Sequence, residues 1–140
     1  KAVLSDVEKG LPFQDDSFSG IYCSHLIEHL KNPLEFLKEC YRILKKGGFI
    51  VLKTPDVERV GFKFWDDYTH IRPFTKESLF RILYDAGFRK IKVIHDYPSV
   101  KGLGWLVRRG FSYRSVILLQ EALHRMGIRS KALLGQGLKI

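Results

Sequence analysis

Apolar side chains recur along this chain with two different periods, which predict helices in some segments and strands in others. Residues 33–44 carry apolar side chains three or four positions apart, as one buried face of a helix requires. Asn32 and Pro33 stand where a helix N-cap and a first helical residue are expected. A second helix is predicted to begin after Thr75 and to end at Gly87.

Short apolar or β-branched runs lie between these helices and predict strands. They are residues 1–5, 18–24, 49–52 and 88–97. The third run is continuously apolar, as in a strand that is covered on both faces of a sheet. Strands that alternate with helices imply a parallel α/β sheet. A long irregular loop is predicted over residues 56–74, and residues 132–140 show no clear element.

Length and composition place the chain among globular proteins. Its 140 residues suffice for one domain with its own core, and 45% hydrophobic residues argue against a disordered chain. No apolar run approaches the roughly 20 residues of a membrane-spanning helix, so the sequence does not predict an integral membrane protein. Cys23 and Cys40 are too few for a disulfide framework, which predicts a cytoplasmic location.

The positive charge of the chain is concentrated in its last third. Residues 98–140 contain eight basic residues and one acidic residue, whereas residues 1–97 contain 16 and 14. One interpretation is a surface that meets phosphate groups, with Trp105, Phe111 and Tyr113 interleaved among the cations. The other is the solvated face of a helix, predicted over residues 113–126, that packs on the core.

Five segments of the first 97 residues occur in an order that is typical of one family. Asp6 and Val7 precede Leu11-Pro12-Phe13 and an acidic turn, and residues 24–30 read Ser-His-Leu-Ile-Glu-His-Leu. Residues 36–48 end in Lys-Lys-Gly-Gly, residues 68–74 read Tyr-Thr-His-Ile-Arg-Pro-Phe, and residues 86–88 read Ala-Gly-Phe. Together these segments resemble the class I S-adenosylmethionine-dependent methyltransferases of the type 11-like kind.

The resemblance implies an α/β fold, with a Rossmann-like sheet and helices on both faces. It also implies methyl transfer from S-adenosylmethionine to a small-molecule acceptor. In the family, an acid and its neighbour after the third strand hold the adenine, and Asp6 and Val7 match these positions. The end of the fourth strand lies under the methionine part of the cofactor, and this end corresponds to Tyr22, Cys23 and Ser24.

Two histidines are the predicted catalytic residues, His25 and His70. A general base is needed only where the acceptor is a poor nucleophile such as a hydroxyl, and histidine titrates near neutral pH. His25 and His29 also have the H-x-x-E-H spacing of zinc proteases. Because Asn32 and Pro33 interrupt the long helix that this motif needs, no metal site is predicted.

The sequence departs from the family pattern at its front. It contains no glycine-rich turn after a first strand, and Ser19 replaces the usual acid after the Ser-Phe pair. We therefore expect residues 1–97 to form the rear portion of a methyltransferase core whose front strands are missing. Residues 98–140 are expected to form a basic extension that packs on this core, with residues 137–140 starting a final antiparallel strand.

Two consequences follow from a core without front strands. The sheet would expose an edge, which predicts a homodimer or pairing with another chain. The chain would also lack much of the cofactor site, so the sequence does not predict whether this chain is active by itself. The alternative function is a non-catalytic partner or scaffold subunit whose basic tail binds a membrane surface or nucleic acid. Steep salt dependence of binding to anionic vesicles or RNA would indicate this alternative.

Overall fold

The computed structural model describes residues 2–96 and 131–140. In this part of the chain, four strands form one sheet in the order β1-β2-β4-β3. The strands are β1 (Phe18–Ser24), β2 (Leu44–Pro55), β3 (Arg89–His95) and β4 (Ala132–Leu138). The α-helices are α1 (Pro33–Ile43), α2 (Val57–Val60) and α3 (Lys76–Asp85), and short 3₁₀ helices span Val7–Lys9, Ile27–His29 and Gly61–Asp66.

The direction of the strands brings three strand ends to one edge of the sheet. β1 and β2 are parallel, whereas β4 runs antiparallel to both β2 and β3. The carboxyl ends of β1, β2 and β3 therefore share an edge with the start of β4. Ligands of open α/β sheets bind outside the carboxyl ends of the strands, so a site is expected at this edge.

Helices α1 and α3 contact each other and cover one face of the sheet. Their apolar stripes are buried as the sequence predicts, and Leu37 and Leu79 have no exposed surface. Where the sequence predicts helices on both faces, the two longer helices of the described part lie on this one. On the opposite face, Tyr22 and Phe49 remain 67% and 49% exposed.

The starts of both predicted helices and the end of α3 are confirmed, whereas α1 ends at Ile43 and not near Gly47, where the sequence predicts its C′ residue. The Asn32 side chain makes no capping hydrogen bond at α1. Instead, a carboxylate oxygen of Glu8 accepts from the backbone N–H groups of Lys31 and Asn32, at 2.5 and 3.3 Å. Thr75 caps α3 in a reciprocal capping box, and Gly87 follows the helix with φ +103°.

Several expectations for local structure are wrong. Residues 2–5 form no strand, because no strand of the described chain pairs with them. The predicted loop over residues 56–74 contains α2 and a 3₁₀ helix. The strand predicted over residues 49–52 is longer, since β2 already begins at Leu44. The final antiparallel strand begins at Ala132 rather than near residue 137, and it lies between β2 and β3.

The glycines of β4 weaken the strand pattern in its sequence, but the packing around the strand requires glycine at these positions. A Cβ atom at Gly137 would lie 2.8 Å from the Cβ of Phe88, and one at Gly135 would lie 3.1 Å from a methyl group of Leu79. Both approaches are closer than ordinary van der Waals contact. Side chains on α3 and just before β3 therefore pack directly on the backbone of β4.

Charged side chains tie the segment before β1 to α1 and to the end of β4. We call Arg42, Glu39, Asp15, Asp16 and Lys139 the Arg42 cluster. The guanidinium of Arg42 donates to Asp15 and Glu39 at 2.7 and 2.8 Å, and to the carbonyl oxygens of Phe13 and Leu11 at 2.9 and 3.0 Å. The Leu-Pro-Phe segment is thereby fixed against α1.

Lys139 and Glu39 complete the Arg42 cluster. The Lys139 ammonium donates to Asp16 at 2.9 Å and to the carbonyl oxygen of Leu44 at 2.8 Å. Hydrogen bonds from Arg42, and a further one from the Leu11 N–H, lower the pKa of Glu39 to about 2. Each charged group of this cluster therefore has a partner of opposite charge.

Some sequence predictions fall outside the described residues. The predicted helix over residues 113–126 lies there, together with Trp105, Phe111 and Tyr113 and most of the basic extension. Within the described residues, no helix has both the length and the apolar character to cross a membrane.

Candidate active site

A cavity of about 600 Å³ lies alongside β1, from Phe18 at the start of the strand to Ser24 at its carboxyl end. Residues predicted for the site line it together, namely Val7, Tyr22, Cys23, Ser24 and His25. The rest of the wall is mainly apolar and comes from the Leu-Pro-Phe segment, β1 and α1. The fold therefore gathers residues from the loop before β1 and from the strand end into one concave surface.

Asp6, the predicted adenine ligand, lines a shallower depression rather than the cavity itself. The two hollows are neighbours, since Leu11 lines both. One carboxylate oxygen of Asp6 accepts from the backbone N–H of Glu8 at 3.1 Å, and the other lies 3.4 Å from the ammonium of Lys9. These contacts cap the 3₁₀ helix Val7–Lys9, which carries Val7 into the wall of the cavity.

His25 is held at the strand end by its backbone and by a buried carboxylate. Its N–H donates to the carbonyl oxygen of Lys53 at 2.8 Å, and its φ of +51° turns the chain away from β1. Nδ1 of its half-exposed ring lies 3.2 Å from Oε1 of Glu28. Oε2 of Glu28 accepts from the Thr54 hydroxyl at 2.9 Å, and both residues are fully buried. The orientation of His25 is thus fixed by residues that lie outside the cavity lining.

His70, the other predicted catalytic residue, does not line the cavity but belongs to a second polar group. We call Glu28, His29, Asp67, Thr69 and His70 the Glu28 cluster. The possible ligand atoms of Glu28, His29 and His70 lie within 4.8 Å of one another. The backbone N–H groups of Ile71 and Arg72 donate to the carbonyl oxygen of Glu28, at 3.0 and 3.1 Å, and fix the loop that carries His70.

The carboxyl ends of β2 and β3 carry a separate pair, in which Asp56 is fully buried and His95 is partly buried. Nδ1 of His95 lies 3.0 Å from Oδ2 of Asp56, which has no exposed surface. Burial lowers the pKa of His95 below its usual 6.5, and the charges of Arg59 and Lys76 lower it further. Asp56 acts in the opposite direction but does not outweigh burial.

Both cysteines of the chain are buried and free. Burial raises the pKa of Cys23 to about 11 and the pKa of Cys40 to about 12. A thiol with such a pKa stays protonated near pH 7, and the protonated form is a poor nucleophile. Cys23 can therefore line the cavity without reacting with a bound electrophile.

Sequence reasoning missed the Glu28 cluster because its members are far apart in the chain. The zinc-protease spacing pairs His25 with His29, whereas the structure directs His25 to Glu28 and His29 to Thr69. His70 joins from a loop about 40 positions further on, at 4.7 Å between its ring centre and that of His29. The one sequence signal is that both histidines belong to segments that carry the family resemblance.

Comparison with known proteins identifies the family. A family model described as a methyltransferase domain matches residues 3–93, and the chain belongs to this family. A biotin biosynthesis bifunctional protein, BioHC, from Teredinibacter turnerae is 31% identical over 72% of the chain. A "probable S-adenosylmethionine-dependent methyltransferase" from Mycolicibacterium smegmatis is 36% identical over 56% of the chain.

A solved structure gives the same fold. The crystal structure of a SAM-dependent methyltransferase from Archaeoglobus fulgidus aligns with 98% of this chain at a TM-score of 0.69 and 24% identity. The predicted α/β class I methyltransferase fold is therefore confirmed, and S-adenosylmethionine is confirmed as the cofactor of the family. The chain spans only part of these proteins, namely 21% of BioHC, 31% of the Mycolicibacterium protein and 66% of the Archaeoglobus chain.

Proposed function

We propose that the protein transfers a methyl group from S-adenosylmethionine to a small-molecule acceptor. The observation that carries this proposal is the cavity beside β1, which gathers Val7, Tyr22, Cys23, Ser24 and His25 at the carboxyl edge of the sheet. Its volume of about 600 Å³ lies in the range of ligand pockets in general.

The residues around the cavity fit the proposed cofactor. The apolar wall suits the carbon skeleton of the ligand, and the polar backbone of the β1 end suits its amino-acid part. Asp6 retains carboxylate lone pairs that can accept from the exocyclic amine of adenine, with Val7 beside it. When bound, S-adenosylmethionine supplies an electrophilic methyl group on a sulfonium. The protonated thiol of Cys23 does not compete for that methyl group.

We assign the general base to His25 rather than to His70, because only His25 lines the cavity. An ionised Glu28 can only accept a hydrogen bond, so Nδ1 of His25 carries the hydrogen and Nε2 is left as the base. Nε2 would take the proton of an acceptor hydroxyl as the acceptor is methylated. Positioning of the two reactants supplies the remaining effect.

A pair of matched variants tests the cofactor site. Ser24→Trp places an indole at the cavity, whereas Ser19→Trp places it on the same strand but outside the cavity lining. Calorimetric titration with S-adenosylhomocysteine should give binding to the wild type and to Ser19→Trp, and an affinity at least about tenfold weaker for Ser24→Trp. Equal affinities of the two variants would refute the cavity as the cofactor site.

Labelled methyl transfer tests the class of acceptor. With radiolabelled S-adenosylmethionine and a cell extract, label should enter the low-molecular-weight fraction. A His25→Gln variant should lower the rate by about 10²–10⁴-fold for a hydroxyl acceptor, while cofactor affinity stays unchanged. Label that enters only protein or RNA would contradict the small-molecule acceptor.

We also propose that another chain pairs with the outer edge of β1, where it would fill the part of the cavity beside Phe18 and Gly20 and leave the carboxyl end, at Ser24 and His25, to the cofactor. In the described part of the protein, β1 pairs with β2 alone, so its outer edge carries unpaired backbone groups. Light scattering after size exclusion should give twice the mass of the protein, and a stable monomer would contradict the pairing. The two free, buried cysteines further support a cytoplasmic location.

A further inference from the structure

We propose that Glu28, His29 and His70 bind a divalent transition-metal cation such as Zn²⁺. Two imidazoles and one carboxylate are a donor set that such cations favour. The possible ligand atoms already lie within 4.8 Å of one another, so small side-chain movements bring them to bonding distance. The site is distinct from the cavity beside β1, whose lining contains none of these three residues.

The hydrogen-bond network selects the tautomer of an uncharged His29 ring. The Thr69 hydroxyl donates its only hydrogen to Oδ1 of Asp67, at 2.6 Å. It can therefore only accept from Nδ1 of His29, which lies 2.9 Å away, and the Thr69 carbonyl oxygen at 3.2 Å is also an acceptor. Nδ1 of His29 thus carries the hydrogen, and Nε2 of an uncharged His29 offers a lone pair.

His70 is fixed in the same way. Its Nδ1 lies 2.7 Å from the carbonyl oxygen of Phe64, which can only accept. Its Nε2 faces Oδ2 of Asp67 at 3.8 Å. In an uncharged His70 both of these atoms present lone pairs, and a cation beside them removes their repulsion. Histidine ligands commonly donate their second ring N–H to a carbonyl oxygen, as both rings do here.

The carboxylate of Glu28 also calls for positive charge. Glu28 has no exposed surface, and the salt bridges of the described residues give it only His25, whose own charge depends on protonation. Nδ1 of His25 and the Thr54 hydroxyl each contact one oxygen of the carboxylate, but neither group carries a fixed positive charge. An ionised carboxylate is costly to bury unless it is paired or bound to a metal. A divalent cation held with His29 and His70 would stabilise this buried charge.

Three protein ligands leave at least one coordination position open. Water, or an oxygen atom of the acceptor, would fill that position. A role toward the acceptor rests on the proposed methyl-transfer function, but cation binding itself does not. The experiment below therefore uses neither cofactor nor acceptor, so that a failed metal site and a failed methyltransferase assignment are distinguishable.

Titration of untagged, chelator-treated protein with Zn²⁺ and Co²⁺ tests the site. We expect one equivalent of Zn²⁺ to bind and to raise the melting temperature, and Co²⁺ to give visible absorption bands. His29→Asn, His70→Asn and Glu28→Gln should each weaken Zn²⁺ binding by about tenfold or more. His95→Asn is the matched control, because His95 adjoins the buried carboxylate of Asp56 but not the Glu28 cluster.

Circular dichroism of each variant checks that it is folded. Absence of stoichiometric Zn²⁺ binding to the wild type would overturn the proposal. So would binding that persists at full strength in folded His29→Asn and His70→Asn, or binding that only His95→Asn removes.

Discussion

The Arg42 cluster and the Glu28 cluster contain similar side chains but satisfy them differently. In the Arg42 cluster, the guanidinium donates to two carboxylates and to two backbone carbonyl oxygens. In the Glu28 cluster, a fully buried carboxylate and a second acid lie beside two histidines, with no lysine or arginine paired to the acids in the described structure. One cluster is complete without a ligand, and the other is completed by a cation.

This difference separates structural charges from functional ones. The Arg42 cluster lies among the loop before β1, α1 and the end of β4, where it holds secondary structure together. The Glu28 cluster lies next to the carboxyl edge of the sheet, close to His25 and the cavity. Charged residues of both kinds occur in the same family-like segments, so their type alone does not distinguish the two roles. The pattern of donors and acceptors does.

Removal of the buried carboxylate should have the largest effect on stability. In metal-free protein, Glu28→Ala leaves the Thr54 hydroxyl without its acceptor and opens a cavity, so we expect the free energy of unfolding to fall by about 2–4 kcal/mol. Glu28→Gln keeps the shape and an acceptor for Thr54 and should cost less than about 1.5 kcal/mol. Urea denaturation measures both, and equal losses would contradict this account of Glu28.

Removal of the Lys139 ammonium from the Arg42 cluster should lower the free energy of unfolding somewhat less than Glu28→Ala does. Lys139→Met deletes the bonds to Asp16 and to the carbonyl oxygen of Leu44, so we expect a loss of about 1.5–3 kcal/mol. Lys45→Met, at an exposed position at the start of β2, should stay within about 0.5 kcal/mol. Neither change should alter Zn²⁺ affinity. A changed affinity in Lys139→Met would show that the two clusters are not independent.

The smallest effect is a pH dependence that belongs to the Arg42 cluster. The pKa of Glu39 is about 2 in the folded protein against an ordinary 4.5, so the unfolded chain binds more protons between these values. Stability from Glu39 is therefore complete above about pH 4.5 and is lost as the pH falls toward 2. Glu39→Gln should reduce the dependence of the free energy of unfolding on pH over this window, as measured by urea denaturation at several pH values. Glu35→Gln on the same helix is the control. An unchanged slope would contradict the pairing with Arg42.

Local sequence signals predicted the two longer helices and three of the strands. α1 and α3 follow from apolar residues at helical spacing and from the signals at Asn32, Thr75 and Gly87. Strand β4 could not be predicted, because Gly135 and Gly137 weaken the local strand signal. Glycine is needed at these positions because Leu79 and Phe88, which are distant in sequence, pack directly on the backbone there. The residues of β4 are determined by tertiary contacts, so they do not show the apolar or β-branched pattern that predicts a strand.

The candidate site was predictable for Val7, through the family resemblance, and for residues that are neighbours in sequence. Tyr22, Cys23, Ser24 and His25 follow one another at a strand end, and the cavity contains them all. The contact of Glu28 with Thr54 and the approach of His29 to His70 depend on how the loop after β2 folds back. Such contacts arise from tertiary packing, so local patterns carry no direct signal for them.

Anomalous diffraction at the zinc edge tests the distinction between the two clusters most directly. Crystals of the protein grown with one equivalent of Zn²⁺ should give a single strong peak at bonding distance from Glu28, His29 and His70, and none at the Arg42 cluster. A map without a peak at the Glu28 cluster, despite zinc bound in the same crystals elsewhere, would contradict the account.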